Sequence, residues 1–218
     1  MIIHHVPQGT DEWHALRAGI PTASCFDRIL TPTGKPSSQA AGYRALLLAE
    51  WLLGTSRLDT FESQAMLRGR HLEDEAVSYY EMLTDRTTDP GGLCTTDDGR
   101  IGCSPDRLVY VTGEHDRPVG GLEIKCPGAG VHMDYLLNST HAEKTYRHQV
   151  QGCMWVCGLE WWDILSYYPG LPPALVRVEA DPEWVAAFAP LVREFLAAFD
   201  DDRARLLEMG YTPAGGKP

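Results

Sequence analysis

Two short apolar segments lie in the middle of this 218-residue chain, separated by seven turn-forming residues. The segments are 92–111 and 119–126, and the heptapeptide between them reads Thr-Gly-Glu-His-Asp-Arg-Pro. Apolar segments joined in this way predict two antiparallel strands that pair as a hairpin. Any fold of this chain must therefore bring residues 104–106 beside residues 123–125.

Helical and extended patterns alternate in the rest of the chain. Apolar residues recur at helical spacing, without interior proline, in three segments: 40–53, 63–83 and 143–157. β-Branched and aromatic residues predict strands at 162–168 and 175–180. Asp181 and Pro182 suit the start of a last helix. Its apolar stripe, predicted to pack in the core, comprises Trp184, Phe188, Leu191, Phe195 and Phe199.

These elements predict an α/β fold, a central mixed β-sheet flanked by helices. Loops are predicted at 31–38, at 89–92 and in the tail after Gly210. The length suits one hydrophobic core, so we expect a single domain over residues 1–218.

Composition restricts the compartment and the kind of site. No apolar stretch approaches the roughly 20 residues of a membrane span, and the first residues do not resemble a signal peptide. We therefore expect a cytoplasmic protein that does not bind a membrane. The six cysteines form no CxxC pair and are expected to be reduced core thiols. A zinc site built from Cys94, Cys103 and a histidine is the alternative.

The formal net charge of −11 argues at first sight against a nucleic-acid partner, because phosphate contacts usually come from a basic surface. The acids, however, concentrate late in the chain, as at 200–202. The first third is near neutral and contains Arg17, Arg28, Lys35, Arg44, Arg68 and Arg70. An acidic exterior with a local basic channel is compatible with both observations.

Three charged residues are embedded in the predicted hairpin: Asp106, Glu123 and Lys125. Because side chains alternate along a strand, Glu123 and Lys125 project to one face, and the backbone carbonyl of Ile124 is left at the sheet edge. Two carboxylates and a carbonyl are hard ligands that suit Mg²⁺ or Mn²⁺. Charges among apolar residues need compensation, which a metal ion supplies. The pattern therefore predicts a metal site for phosphodiester hydrolysis.

Two further residues extend this predicted site. The Lys125 ammonium would orient the attacking water, and partial burial is expected to lower its pKa toward that task. Glu73 shares a helix face with Val77 and Tyr80, which makes it a candidate third carboxylate. The structural alternatives are a surface ion pair for Glu123 and Lys125 and a first-turn helix acid for Glu73.

The order and spacing of several motifs resemble the phage lambda exonuclease group of the PD-(D/E)xK nucleases, also called the YqaJ-type viral recombinase nucleases. The motifs lie at 13–17, 22–24, 69 and 73, 103–106, 122–127, 149–151 and 154–156. The resemblance implies a restriction-endonuclease-like core. It also implies an alkaline exonuclease, a Mg²⁺-dependent hydrolase using one or two ions, with Mn²⁺ as a substitute.

The implied activity is 5′-to-3′ digestion of double-stranded DNA from its ends. It would release 5′-mononucleotides and leave 3′ single-stranded overhangs for homologous recombination. Relatives of this kind are phage or prophage proteins that form homotrimeric rings, and a single-strand annealing recombinase is the expected partner. A ring would also reconcile a basic DNA channel with an acidic outer surface.

The resemblance further implies a role for each site residue. Asp106, Glu123 and the Ile124 carbonyl would hold metal, Glu73 would complete the site, and Lys125 would position the attacking water. A pocket for the 5′-phosphate would comprise Arg17, Ser24, Ser104 and Gln151. Guanidinium, hydroxyl and amide groups suit a phosphate, and Ser24 would start a helix whose amides favour anions.

Two positions near this implied site have alternative readings. Gln151 is the residue assigned to the phosphate pocket. Gln149, two residues earlier, is the alternative candidate for a buried polar role. Arg107 stands where relatives often have glycine after the catalytic aspartate. It could add a phosphate contact or merely alter the strand turn, and the metal ligands are unaffected.

Other classes of protein compete with this reading. A structure-specific endonuclease or a RecB-like nuclease domain would use the same site. An iron–sulfur nuclease would need four cysteines arranged near the site, which the spacing does not indicate. A non-catalytic DNA-end-binding module would not need all of Asp106, Glu123 and Lys125.

Overall fold

The computed structural model describes residues 1–56, 64–113 and 116–214, without the side chains of residues 64–67 and 70. Several positions considered above therefore lie outside the described part. They are Ser63 of the second predicted helix, the Arg70 side chain, residues 114 and 115 of the predicted turn, and the last four residues of the tail.

The described residues form six α-helices, one 3-10 helix and eight strands. The helices are α1 Asp11–Arg17, α2 Ala40–Leu53, α3 Gln64–Thr84, α4 Ala129–Leu137, α5 Ser139–Cys157 and α6 Pro182–Glu208, with the 3-10 helix at Ala23–Arg28. The strands are β1 Ile2–His4, β2 Arg86–Pro90, β3 Leu93–Thr95, β4 Gly102–Cys103, β5 Arg107–Val111, β6 Gly120–Lys125, β7 Trp161–Ser166 and β8 Ala174–Glu179.

The strands form two sheets. The larger has the order β2-β5-β6-β7-β8, in which β6 and β7 are parallel and the other neighbours are antiparallel. The smaller is an antiparallel sheet of order β1-β3-β4. Helices α3 and α5 pack against the larger sheet. The predicted α/β fold with a mixed sheet flanked by helices is confirmed.

The predicted hairpin is present as the antiparallel pair β5–β6, in which Arg107 lies opposite Leu122. The segment 92–111 is not one strand, however, and that part of the prediction is wrong. A turn with Gly99 at φ +70° separates β3 from β4, and the peptide 104–106 follows β4 as a connection to β5. β3 and β4 belong to the smaller sheet, so the acidic motif lies where the chain crosses between sheets.

The bounds of two helices can be compared with the bounds predicted from the apolar pattern. α2 has the predicted bounds, whereas α5 begins at Ser139, four residues before the predicted start. The prediction of a loop at 89–92 is wrong for its first two residues, because Asp89 and Pro90 belong to β2 at the edge of the sheet. An edge strand tolerates proline because one of its sides needs no hydrogen-bond partner.

The main core lies between α2, α5, α6 and the sheets. Asp181 caps α6 by accepting a hydrogen bond from the Glu183 amide, with Pro182 in the first turn as predicted. Of the predicted stripe, Trp184, Phe188, Phe195 and Phe199 are buried, and Leu191 packs partly buried against them. Within the described residues, no helix is long and apolar enough to cross a bilayer.

Candidate active site

The site lies at the carboxyl end of β6, where its pairing with β5 stops. The β5–β6 ladder covers three residue pairs and ends at Arg107 and Leu122. Beyond it, Asp106 takes the place of a strand partner, because its Oδ2 accepts a hydrogen bond of 2.6 Å from the Ile124 amide. The N–H and C=O of one strand residue point to the same side. The Ile124 carbonyl therefore faces the same gap as Asp106.

Glu123 lies at the centre of this group and is only 2% exposed. Its Oε1 accepts hydrogen bonds from Lys125 Nζ at 2.5 Å and from Gln149 Nε2 at 2.6 Å. Its Oε2 is buried without any hydrogen-bond partner. A buried carboxylate oxygen left unpaired is costly unless something binds it. Together with Asp106 and the Ile124 carbonyl, this oxygen fits the hard-ligand set of a divalent cation.

Glu73 approaches the same group from helix α3 and is half-buried. Burial raises the pKa of Glu73, the Arg107 charge opposes the shift, and the charge of Glu123 adds to it. The only three metal-ligating side chains of the described residues that lie within 4.8 Å of one another are cysteines. The charge of Glu123 thus acts on Glu73, although the three carboxylates do not all lie within 4.8 Å of one another.

The pKa values of Asp106 and Lys125 are shifted by burial and by the neighbouring charges. Burial raises the pKa of Asp106 well above its usual range, and the Glu123 charge adds to the shift. Burial alone would lower the pKa of Lys125, but the charges of Glu123 and Asp106 outweigh it, and the net shift is upward. The expectation of a lowered lysine pKa is therefore wrong. The Lys125 ammonium also lies 4.7 Å from the centre of the Tyr146 ring.

A cleft of about 170 Å³ joins Asp106 and Glu123 to three of the four residues predicted for a phosphate pocket, Arg17, Ser24 and Ser104. Glu73 does not line it. Its lining residues are Gln8, Trp13, Arg17, Thr22, Ala23, Ser24, Ser104, Asp106, Glu123, Gln149 and Cys153. Arg17 is held over the Trp13 ring and donates to the Thr22 hydroxyl at 2.8 Å and to the Ser24 hydroxyl at 3.3 Å. The guanidinium is thus oriented by neighbours that line the same cleft.

The connection that carries Ser104 and Asp106 is held from two sides. Gln8 donates to the Pro105 carbonyl at 2.8 Å. Gly91 lies so close that a Cβ there would meet the same carbonyl at 2.5 Å. The Ser104 hydroxyl is buried without a hydrogen-bond partner. It is therefore a donor with unused capacity in the wall of the cleft.

The prediction that Gln151 lines the phosphate pocket is wrong. Gln151 is 1% exposed, and both ends of its amide are engaged elsewhere: Nε2 donates to the Glu179 carbonyl and Oε1 accepts from the Asp181 amide. It fastens α5 to the end of β8 and the start of α6. Gln149 lines the cleft instead, because residues two apart on a helix point to opposite faces.

Helix α5 reaches the cleft because of a glycine. A Cβ at Gly152 would meet the Phe26 ring at 2.4 Å and the Ala23 side chain at 3.1 Å. The absence of a side chain lets α5 lie directly on the 3-10 helix Ala23–Arg28. Ser24 is the second residue of that short helix, whose cap position is Thr22, and so it does not start a regular α-helix as predicted.

Only part of the predicted basic set lies near the site. Arg68 donates to the Cys126 carbonyl just after β6. Arg107, directly after Asp106, is 3.8 Å from the Asp74 carboxylate and has a buried Nε without a hydrogen-bond partner. Arg44 instead forms an ion pair with Asp202 on α6. A larger depression of about 430 Å³ between α4 and α5 is lined by none of the predicted site residues.

Comparison with known proteins places this geometry in a family. The model of the YqaJ-like viral recombinase domain matches residues 12–160, a range that contains the whole cleft except Gln8. The chain belongs to the YqaJ-like viral recombinase family. A search of curated proteins finds no match.

Solved structures agree with the family assignment. An alkaline exonuclease, LHK-Exo from Laribacter hongkongensis, is 30% identical and superposes with a TM-score of 0.76 over 92% of this chain and 98% of that one. LHK-Exo in complex with dAMP superposes with a TM-score of 0.77 at the same identity and coverage. A phage-related exonuclease from Haemophilus somnus 129PT, 14% identical, shares the fold at a TM-score of 0.66 over 86% of this chain and 96% of that one. This member of the YqaJ-like family is an enzyme, a nuclease.

Proposed function

We propose that this nuclease is a Mg²⁺-dependent exodeoxyribonuclease that digests double-stranded DNA from its 5′ ends and releases 5′-mononucleotides. The observation that carries the proposal is the shared cleft. Carboxylates suited to a cation and a guanidinium with hydroxyls suited to a phosphate line one cavity of about 170 Å³. A binding pocket for a terminal phosphate beside the hydrolytic carboxylates favours cleavage at the ends of a DNA strand over cleavage at internal positions.

The metal ligands in this proposal are Asp106, Glu123 and the Ile124 carbonyl, with Glu73 completing the site. The unpaired Oε2 of Glu123 supports it, because a cation would satisfy that oxygen and offset the repulsion among the acids. A bound Mg²⁺, or Mn²⁺ as a substitute, in one or two copies, would stabilise charge on the phosphate and acidify the attacking water. Oxygen ligands and open positions suit either ion.

Lys125 is proposed to position the attacking water. Its ammonium donates to Glu123 and therefore has two further N–H donors. In this proposal the ammonium orients the water and stabilises developing negative charge. The cation–π contact with Tyr146 and the bond to Glu123 hold this group in place.

The proposed 5′-phosphate pocket comprises Arg17, Ser24, Ser104 and Gln149. Arg17 supplies a charge-assisted donor, and the buried Ser104 hydroxyl supplies one without a competing partner. Gln149 connects the pocket to Glu123, so phosphate and metal positions are coupled through one side chain. LHK-Exo has been solved with dAMP, a mononucleotide, which accords with a product of this size.

The wider setting of the proposal rests on the family. A homotrimeric ring would surround the duplex with the few basic residues near the cleft, while the net charge of −11 stays on the outside. The 3′ overhangs would pass to a single-strand annealing recombinase during homologous recombination of phage or prophage DNA in the cytoplasm. The native mass in solution tests the ring, with about three times 24.2 kDa expected.

The deciding experiment is digestion of a linear duplex labelled at one 5′ or one 3′ end, with and without Mg²⁺. A closed circular duplex serves as the control substrate, and Glu123→Gln as the control enzyme. We expect Mg²⁺-dependent early release of the 5′ label as mononucleotide, late release of the 3′ label, and an intact circle. A 5′-hydroxyl end should be digested more slowly than a 5′-phosphate end, and Arg17→Ala should reduce that difference.

The other outcomes identify the competing functions. A cut circle would mean a structure-specific or RecB-like endonuclease. Early release of the 3′ label would reverse the polarity. Binding of ends without cleavage under any divalent cation would mean a DNA-end-binding module.

A further inference from the structure

Three buried thiols from three different elements meet behind the cleft. Cys94 on β3, Cys103 on β4 and Cys157 on α5 have sulfur atoms within 4.8 Å of one another. The Cys103 and Cys157 sulfurs are 3.5 Å apart. All three residues are buried, and all six cysteines of the chain are free thiols.

The fold itself brings these residues together. Cys94 and Cys103 are directly opposite each other in the β3–β4 pair. Helix α5 packs across β3 and β4, and Cys153 precedes Cys157 by one turn on the same face. The Cys153 thiol also interacts with that of Cys103. The strand pair thus presents two cysteines and the helix one to a single point, with Cys153 beside Cys103.

We propose that Cys94, Cys103 and Cys157 bind a single thiophilic cation, Zn²⁺, with Cys153 as the fourth ligand. At a Zn–S distance of about 2.3 Å, a tetrahedral site separates its sulfurs by about 3.8 Å. The observed 3.5 Å and the 4.8 Å limit bracket that separation for Cys94, Cys103 and Cys157, so small side-chain rotations suffice for these three. Cys153 does not lie within 4.8 Å of all three and must turn further to reach the ion.

The position of the cluster indicates a structural role beside the nuclease site. Cys103 directly precedes Ser104, and Cys153 lines the cleft on the helix that carries Gln149. A cation there would fasten the smaller sheet to α5 and hold both walls of the cleft. Because Cys153 lines the cleft, the same opening gives the ion a path to the cluster.

The test is a Co²⁺ titration of the complete chain, purified without added metal and freed of loosely bound ions. Co²⁺ held by thiolates gives an intense charge-transfer absorption that oxygen ligands do not give. We expect this absorption to saturate at one equivalent and to be displaced by Zn²⁺. No such absorption in the folded wild-type chain would overturn the proposal and leave the thiols as small apolar core residues.

Matched variants assign the ligands. Glu123→Gln and Cys25→Ala should retain the absorption, because one alters the proposed Mg²⁺ site and the other a cysteine outside the cluster. Cys157→Ala should lose it, and Zn²⁺ should no longer raise the thermal midpoint. Undiminished absorption in folded Cys157→Ala would contradict the ligand set. If Cys157→Ala does not fold, the wild-type titration decides on its own.

Discussion

The Glu123 carboxylate is buried and unevenly hydrogen-bonded. Its Oε1 accepts two hydrogen bonds and its Oε2 accepts none. Such an arrangement is poorly suited to stability and well suited to holding a cation. We predict that Glu123→Gln lowers the single-turnover rate by at least about 10²–10³-fold. Its free energy of unfolding should change by no more than about 1 kcal/mol, since relief of the repulsion with Asp106 offsets the lost ion pair with Lys125.

The matched control is Asp201→Asn, which makes the same change of charge at an exposed position of α6. Both variants are compared with wild type by rapid-quench cleavage and by thermal unfolding without metal. A Glu123→Gln rate within tenfold of wild type would remove Glu123 from the hydrolytic site.

Gln149 and Gln151 form a natural pair for testing the corrected pocket. Gln149→Ala should lower kcat/KM on 5′-phosphorylated ends by about 10–100-fold and leave stability nearly unchanged, since its one bond is to Glu123 at the cleft. Gln151→Ala should do the reverse. It deletes two buried bonds to backbone groups and costs about 1–3 kcal/mol of unfolding free energy, with activity largely retained. Urea unfolding and initial rates on both variants separate the two patterns.

The choice between these glutamines shows where sequence reasoning stops. Asp106, Glu123 and Lys125 are predictable because charged residues embedded among apolar ones stand out in the sequence. Two glutamines on one helix give no such signal, because each face of α5 contacts something. Which one reaches the cleft depends on how α5 docks on the 3-10 helix, a tertiary contact set by Gly152 and Phe26.

The same limit applies to whole elements. α2, β7, β8 and α6 were predicted because wide apolar faces or β-branched runs mark them. β2 was missed because Asp89 and Pro90 resemble a turn, and the short β3 and β4 were merged with β5 across the Gly99 turn. α1, α4 and the 3-10 helix are short and depend on packing more than on periodicity.

A substitution at Gly152 tests how far the close packing of α5 on the 3-10 helix determines the geometry of the cleft. Gly152→Ala would place a Cβ 2.4 Å from the Phe26 ring, so α5 and the 3-10 helix must separate. We predict a loss of about 1–3 kcal/mol of unfolding free energy and reduced discrimination between 5′-phosphate and 5′-hydroxyl ends. The control is Gly42→Ala on α2, where nothing lies within 4 Å of a Cβ and stability should rise by about 0.5–1 kcal/mol. Equal stability changes in the two variants would refute the close-packing account.

At the scale of the whole molecule, the buried acids of the cleft lower the free energy of unfolding of the metal-free protein. Burial and the charge of Glu123 raise the pKa of Asp106 far above the value of about 3.9 that an unfolded chain provides. Between those two pKa values the native state binds more protons than the unfolded state. The contribution of Asp106 to stability therefore decreases as pH rises through this window, opposite to the usual behaviour of a salt-bridged carboxylate.

Asp106→Asn separates this effect from the titration of the other acids. In the presence of a chelator we expect the variant to be more stable than wild type at neutral pH, because wild type must take up a proton at Asp106 to fold, whereas the asparagine of the variant is neutral in both states and keeps an oxygen to accept the Ile124 amide. The difference should vanish below about pH 4, where Asp106 is protonated in both states. Adding Mg²⁺ at neutral pH should raise the thermal midpoint of wild type and not that of the variant, because binding to the native state alone is stabilising. Parallel midpoint-against-pH curves for the two proteins would mean that the pKa of Asp106 is the same in the native and the unfolded state, and the proposed metal site would then lose the electrostatic cost that a cation is needed to relieve.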